Sequence, residues 1–181
     1  MKLQEKINII IEKHPFADSL NDKLIEEFNA VVSTGYMRGF VDKDLRYNNI
    51  KFTNIIGNKV PVLENNDASS KIVGDWVDNI VRVNYHRRDA EKVSYRLDMW
   101  FAQYNKGDYA QSHGHIPYAI FSFVYFVKCP PGSSPLVFTT SGKKIKAEEG
   151  KLVLFPSIAT HHVPKNRCEN RIVLAGNLKF L

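Results

Sequence analysis

The sequence has few cysteines and no long apolar run. Only two cysteines occur among the 181 residues, Cys129 and Cys168, and their separation fits no Cys-x-x-Cys motif. This spacing argues against a dithiol or zinc site, so we expect two inert thiols. No apolar stretch approaches the roughly 20 residues that span a bilayer. The sequence therefore indicates a globular protein with no membrane partner.

The chain also lacks a recognisable leader and a concentrated charge of one sign. Residues 1–16 carry charges within their apolar stretch and no small-residue cleavage site, so we expect a cytoplasmic protein. The net charge is +6, but the positive residues are scattered and no zinc finger or long basic helix is present. We therefore expect no nucleic-acid partner.

The two halves of the sequence have different patterns. The first, residues 1–92, is predicted to be mainly helical, because two apolar stripes recur at three- and four-residue spacing. They consist of Leu20, Leu24, Ile25, Phe28 and Val31, and of Val73, Trp76, Val77, Ile80 and Val81. The second half, residues 93–181, contains short segments rich in β-branched and aromatic residues, separated by turn formers. The predicted strands are 93–104, 118–128, 135–139, 151–156 and 170–181.

These patterns predict one domain over 1–181 of the α+β class, mainly β. Many short strands without a crossover helix between them favour an antiparallel sandwich or barrel. The helices of residues 1–92 would pack on its outside as a supporting region. Residues 93–181 would form the β core and carry the functional site.

Three histidines in the β-rich half form a candidate metal site. His113 and His115 are two residues apart, so on an extended strand both imidazoles project to one face. His161 follows a strand that begins after Gly150 and could return as a third ligand. Neutral imidazole binds iron, zinc, copper and nickel, and three protein ligands leave coordination positions open.

One arginine lies ten residues beyond the third histidine. Arg171 begins the last predicted strand, and Asn177 shares its face by alternation. A guanidinium can hold a carboxylate through two parallel hydrogen bonds. The combination suits a dicarboxylate that chelates the metal at one end and meets Arg171 at the other.

At this point the sequence resembles a known family, the prolyl-hydroxylase-like 2-oxoglutarate/Fe(II) oxygenases. Residues 104–113 read Tyr-Asn-Lys-Gly-Asp-Tyr-Ala-Gln-Ser-His, similar to the family's Tyr-x-x-Gly-Asp-x-x-x-x-His pattern. Its Gly-x-Leu-x-Leu-Phe-Pro…His-x-Val…Arg…Asn pattern is matched by Gly150, Leu152, Leu154, Phe155, Pro156, His161, Val163, Arg171 and Asn177. The chain is most similar to a small group of such proteins common in phages and marine bacteria. The resemblance covers residues 93–181.

The resemblance implies a double-stranded β-helix, a jelly-roll or cupin-like fold, with hydroxylase activity. Fe(II) would be bound by His113, His115 and His161. The cosubstrate 2-oxoglutarate would be bound by Arg171, with Tyr104 and Asn177 as further contacts. The substrate is left open among a protein side chain, a free amino acid and a nucleobase.

One residue departs from the family pattern. Most members have Asp or Glu at the position of His115, so the site would be one negative charge poorer. This change leaves the identity of the metal open. Asp108 lies on the opposite strand parity from His113 and does not supply the missing carboxylate.

Two other interpretations remain open. A cupin-type metal protein or enzyme would also use a His-x-His pair, but the cupin glutamate is absent, since Ala119 and Ile120 occupy its place. A non-enzymatic β-sandwich, such as a structural or adaptor protein of a phage, would use the histidines for zinc or for nothing. Binding of 2-oxoglutarate separates the oxygenase from both.

Overall fold

The computed structural model describes residues 7–33, 55–56, 58–63, 68–85 and 95–180. Within these ranges the chain forms two helices, α1 (Ala17–Ser33) and α2 (Ser69–Tyr85). It also forms eleven strands: β1 (Ile10–Lys13), β2 (Ile55–Ile56), β3 (Asn58–Pro61), β4 (Tyr95–Tyr104), β5 (Tyr109–His113), β6 (Phe121–Lys128), β7 (Leu136–Phe138), β8 (Lys144–Ile145), β9 (Lys151–Pro156), β10 (His161–Val163) and β11 (Arg171–Phe180).

The strands form two sheets that face each other. The large sheet has the order β1-β9-β6-β11-β4-β3, and the small sheet has the order β2-β5-β10-β7-β8. All the pairings are antiparallel. Strands that are neighbours in a sheet are often distant in sequence, so β11 lies between β4 and β6. This is the architecture of a double-stranded β-helix, as predicted.

The helices cover the outer face of the large sheet. The predicted stripe of α1 is buried at Leu20, Leu24 and Phe28, and it shares one apolar cluster with sheet residues such as Tyr125 and Leu174. The stripe of α2 joins the same cluster. Burial of these side chains, rather than helix propensity, accounts for most of the helices' stability.

A buried carboxylate ties the two helices together. Glu27 of α1 accepts hydrogen bonds from the backbone N–H of Ser70, from its hydroxyl and from the N–H of Leu63, at 2.8, 2.7 and 3.1 Å. Ser70 lies in the first turn of α2, where backbone N–H groups have no partner within the helix. The bonds therefore stabilise the start of α2 and its docking on α1.

Gly150 permits the close approach of β1 and α1 to the turn before β9. Its φ is +80°, and a Cβ at this position would lie 2.2 Å from the Cβ of Ala17. The N–H of His14 donates to its carbonyl at 2.9 Å. A side chain here would push the first helix off the sandwich.

The predicted strands of the second half are confirmed, each within a few residues of its predicted bounds. Residues 93–94 and 181, at their ends, lie outside the described residues. Three short strands were not predicted: β1, β8 and β10. β5 contains only His113 of the two histidines that were expected to share an extended strand. In the first half, β2 and β3 lie within residues 36–69, where turn formers predict irregular structure or short strands. Residues 1–6, 34–54, 57, 64–67 and 86–92 of that half lie outside the described ranges. In the part of the chain that the structure describes, no helix has the length and apolar character to cross a membrane.

Candidate metal centre

Strand pairing brings two of the three histidines together. His113 is the last residue of β5 and His161 the first of β10, and the two are direct partners in the antiparallel ladder. Their ring centroids are 4.4 Å apart. Residues opposite each other in a ladder project to the same face, so both rings point into the space between the sheets.

The second residue of the His-x-His pair is placed differently from the prediction. β5 ends at His113, so His115 does not continue the strand. Its N–H donates instead to the carbonyl of Ser157 at 3.0 Å, and its own carbonyl accepts from Ala119 at 2.9 Å. The His115 ring centroid is still only 5.0 Å from that of His113 and 5.3 Å from that of His161. The pair converges through a bend of the backbone rather than through strand alternation.

Gly114 allows this bend. A Cβ on Gly114 would lie 3.3 Å from the carbonyl oxygen of Ser157, tighter than ordinary packing. A larger residue would therefore push apart the two segments that carry His115 and His161.

The three side chains can converge on one ion. His113, His115 and His161 each offer one nitrogen, and these atoms all lie within 4.8 Å of one another. This distance is short enough for small side-chain rotations to bring them onto a common metal. Within the described ranges, no other His, Cys, Asp or Glu belongs to the cluster. Asp108 is used elsewhere, since its carboxylate accepts the N–H of Asn105 at 2.7 Å.

Backbone carbonyls orient two of the three rings. The Nδ1 of His113 lies 2.7 Å from the carbonyl of Gln111, and that of His161 lies 3.0 Å from the carbonyl of Ala159. A carbonyl only accepts, so each Nδ1 carries the proton and each Nε2 keeps a free lone pair. This is the tautomer that a metal ligand needs.

Burial keeps the imidazoles of His113 and His161 uncharged. Desolvation lowers the pKa of His113, and desolvation together with the neighbouring His113 lowers the pKa of His161 to about 3. Both side chains are therefore neutral at physiological pH. Neutral imidazole nitrogens are suitable ligands for divalent transition metals, so the chemistry of these side chains is compatible with iron or zinc.

Arg171 lies on the inner face of the large sheet, and its side chain is fully buried. Its Nε donates to the carbonyl of Ser134 at 3.1 Å, and its guanidinium stacks over the ring of Tyr104 at 4.7 Å. Its Nη1 is buried with no hydrogen-bond partner among the described residues. Burial lowers the pKa of Arg171, although a guanidinium stays charged in proteins.

A buried cation with an unused donor is costly unless an anion meets it. The groups of the described chain that act on the charge of Arg171 are Tyr104 and the thiols of Cys129 and Cys168, and none of them is a carboxylate. The site therefore fits an external anion such as a ligand carboxylate.

Tyr104 and Asn177 have different relations to the cavity. Tyr104 is the ladder partner of Arg171 and lines the same cavity as the three histidines. Burial raises the pKa of Tyr104 to about 12, so its hydroxyl stays protonated. Asn177 accepts a hydrogen bond from the hydroxyl of Ser122 at 2.8 Å, and it is Ser122 that lines the cavity.

The prediction missed three serines that hold the site. Ser122 and Ser157 join their hydroxyls at 2.8 Å, and Ser134 anchors Arg171 through its carbonyl. Ser122 could have been noticed, because it is a polar residue inside the apolar run of β6, where a buried hydroxyl needs a partner. Ser134 lies in a turn-forming segment and carried no such signal.

The structure bears on the predicted inertness of one of the two cysteines, Cys129. Both are free and partly buried. Burial raises the pKa of the Cys129 thiol to about 12, so this residue is not a nucleophilic thiolate at neutral pH.

Comparison with known proteins gives no match by sequence and clear matches by structure. The chain matches no protein-family model and no curated protein. A collagen prolyl hydroxylase of Paramecium bursaria Chlorella virus-1, solved with 2-oxoglutarate, superposes with a TM-score of 0.71 at 14% identity, covering 94% of each chain. A prolyl-4-hydroxylase of Pseudomonas putida gives a TM-score of 0.71 at 16% identity, covering 94% of this chain and 91% of the other.

A third match carries a bound peptide. A prolyl hydroxylase of Trichoplax adhaerens, in complex with an oxygen degradation domain fragment of hypoxia inducible factor, gives a TM-score of 0.69 at 14% identity. It covers 93% of this chain and 82% of the other. At these identities the likeness establishes the fold. The double-stranded β-helix of the prolyl-hydroxylase-like oxygenases, expected from the motifs, is confirmed.

Proposed function

We propose that this chain is a non-haem Fe(II)- and 2-oxoglutarate-dependent dioxygenase, organised as one oxygenase domain over residues 1–181. One observation carries the proposal: a single cavity contains three converging imidazoles and a fully buried guanidinium with an unused donor. A metal centre alone would not need the arginine. A structural sandwich would need neither.

In this proposal each residue has a defined task. His113, His115 and His161 would hold Fe(II) and leave part of its coordination sphere open. Arg171 would bind the far carboxylate of 2-oxoglutarate, with Tyr104 beside it and Asn177 acting through Ser122. The bound iron and cosubstrate would together supply the chemistry, in which molecular oxygen gives one atom to succinate and the other to a substrate C–H bond, while 2-oxoglutarate loses carbon dioxide. The chain itself contributes binding, orientation and exclusion of water.

His115 distinguishes this centre from the usual one. With a neutral imidazole in place of a carboxylate, the metal keeps its full positive charge on the protein side. The dianionic cosubstrate is then the first source of negative charge at the metal. We therefore expect cosubstrate and metal to strengthen each other's binding.

For the substrate we propose a protein or peptide side chain. This choice is supported by fold analogy with prolyl hydroxylases, one of which was solved with a peptide. A free amino acid or a nucleobase remains as an outcome of substrate screening. We propose the cytoplasm as its location.

The test is an anaerobic titration of the purified protein with Fe(II), with and without 2-oxoglutarate. We expect a visible metal-to-ligand charge-transfer band only when both are present, followed by release of succinate on admission of oxygen. Glutarate, which cannot chelate the metal through a keto group, is the matched control and should give no band. Iron binding without any response to 2-oxoglutarate would instead support a cupin-type metal protein, and binding of neither would support a non-enzymatic sandwich.

A further inference from the structure

Ser157 is a fully buried residue whose three polar groups all bind the segment that carries His115. Its carbonyl accepts the N–H of His115 at 3.0 Å, and its N–H donates to the carbonyl of Ile120 at 2.8 Å. Its hydroxyl lies 2.8 Å from that of Ser122. Ser157 thus contacts the segment of residues 115–122 at three points, just before and at the start of the ladder that pairs β6 with β9.

The hydroxyl contact continues into the centre of the large sheet. The hydroxyl of Ser122 donates its one proton to the Oδ1 of Asn177 at 2.8 Å, so it must accept from Ser157. The chain of donors therefore runs from Ser157 through Ser122 to Asn177. It links the loop at the metal centre to β6 and β11. Ser122 and Ser157 are buried, and a chain of this kind is directional and rigid when every member is satisfied.

The same turn also serves His161. The carbonyl of Ala159 accepts the Nδ1 proton of His161 at 3.0 Å, two residues after Ser157. Two of the three candidate ligands, His115 and His161, therefore form a hydrogen bond to this one short turn. His115 depends on it most, because it lies beyond the end of β5, whereas His113 is held by the ladder.

We propose that Ser157, through its hydroxyl chain to Ser122 and Asn177, is a positioning residue for the metal centre that sets the place of His115. The proposal rests on the proposed function only in requiring that the three histidines bind a metal. It assigns the Ser157 hydroxyl no contact with metal, cosubstrate or substrate. Its effect is to fix a turn whose displacement would move one ligand relative to the other two.

The experiment uses Co(II) alone, because its visible absorption reports the geometry of its ligands. Ser157→Ala should weaken Co(II) binding about tenfold, the lower end of the range for groups that orient metal ligands. It should also shift the visible spectrum of the bound ion. Ser122→Ala interrupts the same chain from its other end and should change affinity and spectrum in the same direction. If Ser157→Ala does not fold, Ser122→Ala carries the test.

Ser70→Ala is the matched control. Ser70 is as buried as Ser157 and its hydroxyl donates to Glu27 at 2.7 Å, but it lies in α2 on the other side of the large sheet. It should lower the thermal midpoint without altering Co(II) affinity or spectrum. This separates positioning from a general loosening of the fold.

The outcomes distinguish the two proposals. If wild-type protein binds Co(II) and the folded Ser157 and Ser122 variants bind it with unchanged affinity and spectrum, the positioning role is wrong and the metal centre stands. If Ser70→Ala changes the cobalt spectrum equally, the positioning role is also wrong. If the wild-type protein binds no Co(II), both the metal centre and the positioning role are overturned.

Discussion

The two faces of the large sheet bury very different side chains. Its outer face packs against α1 and α2 through aliphatic and aromatic residues, and the hydroxyl of Tyr125 donates to Asn21 at 2.8 Å. Its inner face, toward the small sheet, buries Arg171 with an unused donor. The opposing small sheet contributes His161 to the same space.

The difference indicates that the outer face stabilises the fold, whereas the polar groups buried at the inner face destabilise it. An apolar face contributes folding free energy in proportion to its buried area. A buried, unpaired guanidinium and a buried imidazole oppose folding. Stability and binding should therefore respond separately to substitutions on the two faces, and the four predictions below test that separation.

The largest effect is expected at the metal centre. His161→Ala should weaken divalent metal binding on the order of 1,000-fold, because one of three ligands is removed. Isothermal titration with Co(II) or Fe(II) measures this. His162→Ala is the control, since His162 contacts Thr139 at 2.9 Å and belongs to no metal cluster within the described residues. Equal losses in both variants would show that the cluster is not the metal site.

On the outer face, Leu24→Ala should lower the free energy of unfolding by about 2–5 kcal/mol. Leu24 lies on the buried face of α1 and is fully buried, so its truncation leaves a cavity. Urea denaturation measures the loss. The folded variant should bind metal and 2-oxoglutarate as the wild type does, and a change in either affinity would contradict the separation of the two faces.

On the inner face, Arg171→Met should have the opposite profile. Binding of 2-oxoglutarate should weaken about 100-fold, because a charged hydrogen-bond partner is lost. Metal binding should persist, and the cosubstrate-free protein should be as stable as the wild type or more so, since a buried charge is replaced by an apolar side chain. Arg96→Met, at an exposed position, is the control. A destabilisation as large as that of Leu24→Ala would make Arg171 a structural residue.

The smallest effect concerns pH. In metal-free protein the pKa of His161 is about 3, below the roughly 6.5 of an unfolded histidine. Below pH 6.5 His161 therefore binds a proton in the unfolded chain but stays neutral in the folded chain. The free energy of unfolding falls as the pH falls. From pH 7.5 to 5.5 the contribution is roughly 1 kcal/mol.

Chemical denaturation at both pH values, with a chelator present, measures this loss. His161→Gln, which cannot titrate, should show a shallower dependence on pH. An unchanged dependence in the variant would mean that His161 is not the group responsible.

Prediction from sequence succeeded where the pattern is local. The stripes of Leu24 and Val77 have helical spacing, and the strand that begins at Arg171 alternates between two environments. It failed at β1 and β10, strands of four and three residues whose pairing partners lie far away in the chain. Such short strands have little periodicity of their own and exist because a neighbouring strand offers hydrogen bonds.

For the candidate site, the sequence predicted the residues that line it but not the hydrogen bonds and backbone path that position them. His113, His115, His161 and Arg171 could be chosen because their joint order and spacing fit one metal site with a carboxylate-binding arginine, whereas no one of them was sufficient by itself. The prediction placed His113 and His115 on one strand, whereas the bend at Gly114 brings them together. The serine chain from Ser157 to Asn177 spans three separate segments, and spacing in the sequence does not reveal it.

The sequence by itself determined which side chains are candidates for the chemistry and which segments bury an apolar face, because both depend on residue type and local period. The tertiary structure alone decided that β5 and β10 bring two imidazoles face to face. It also decided that Arg171 is buried with no carboxylate acting on it among the described residues, and that Ser157 contacts the segment that carries His115. These features arise from contacts between residues tens of positions apart, and the free energy of such contacts depends on the packing of the whole sandwich.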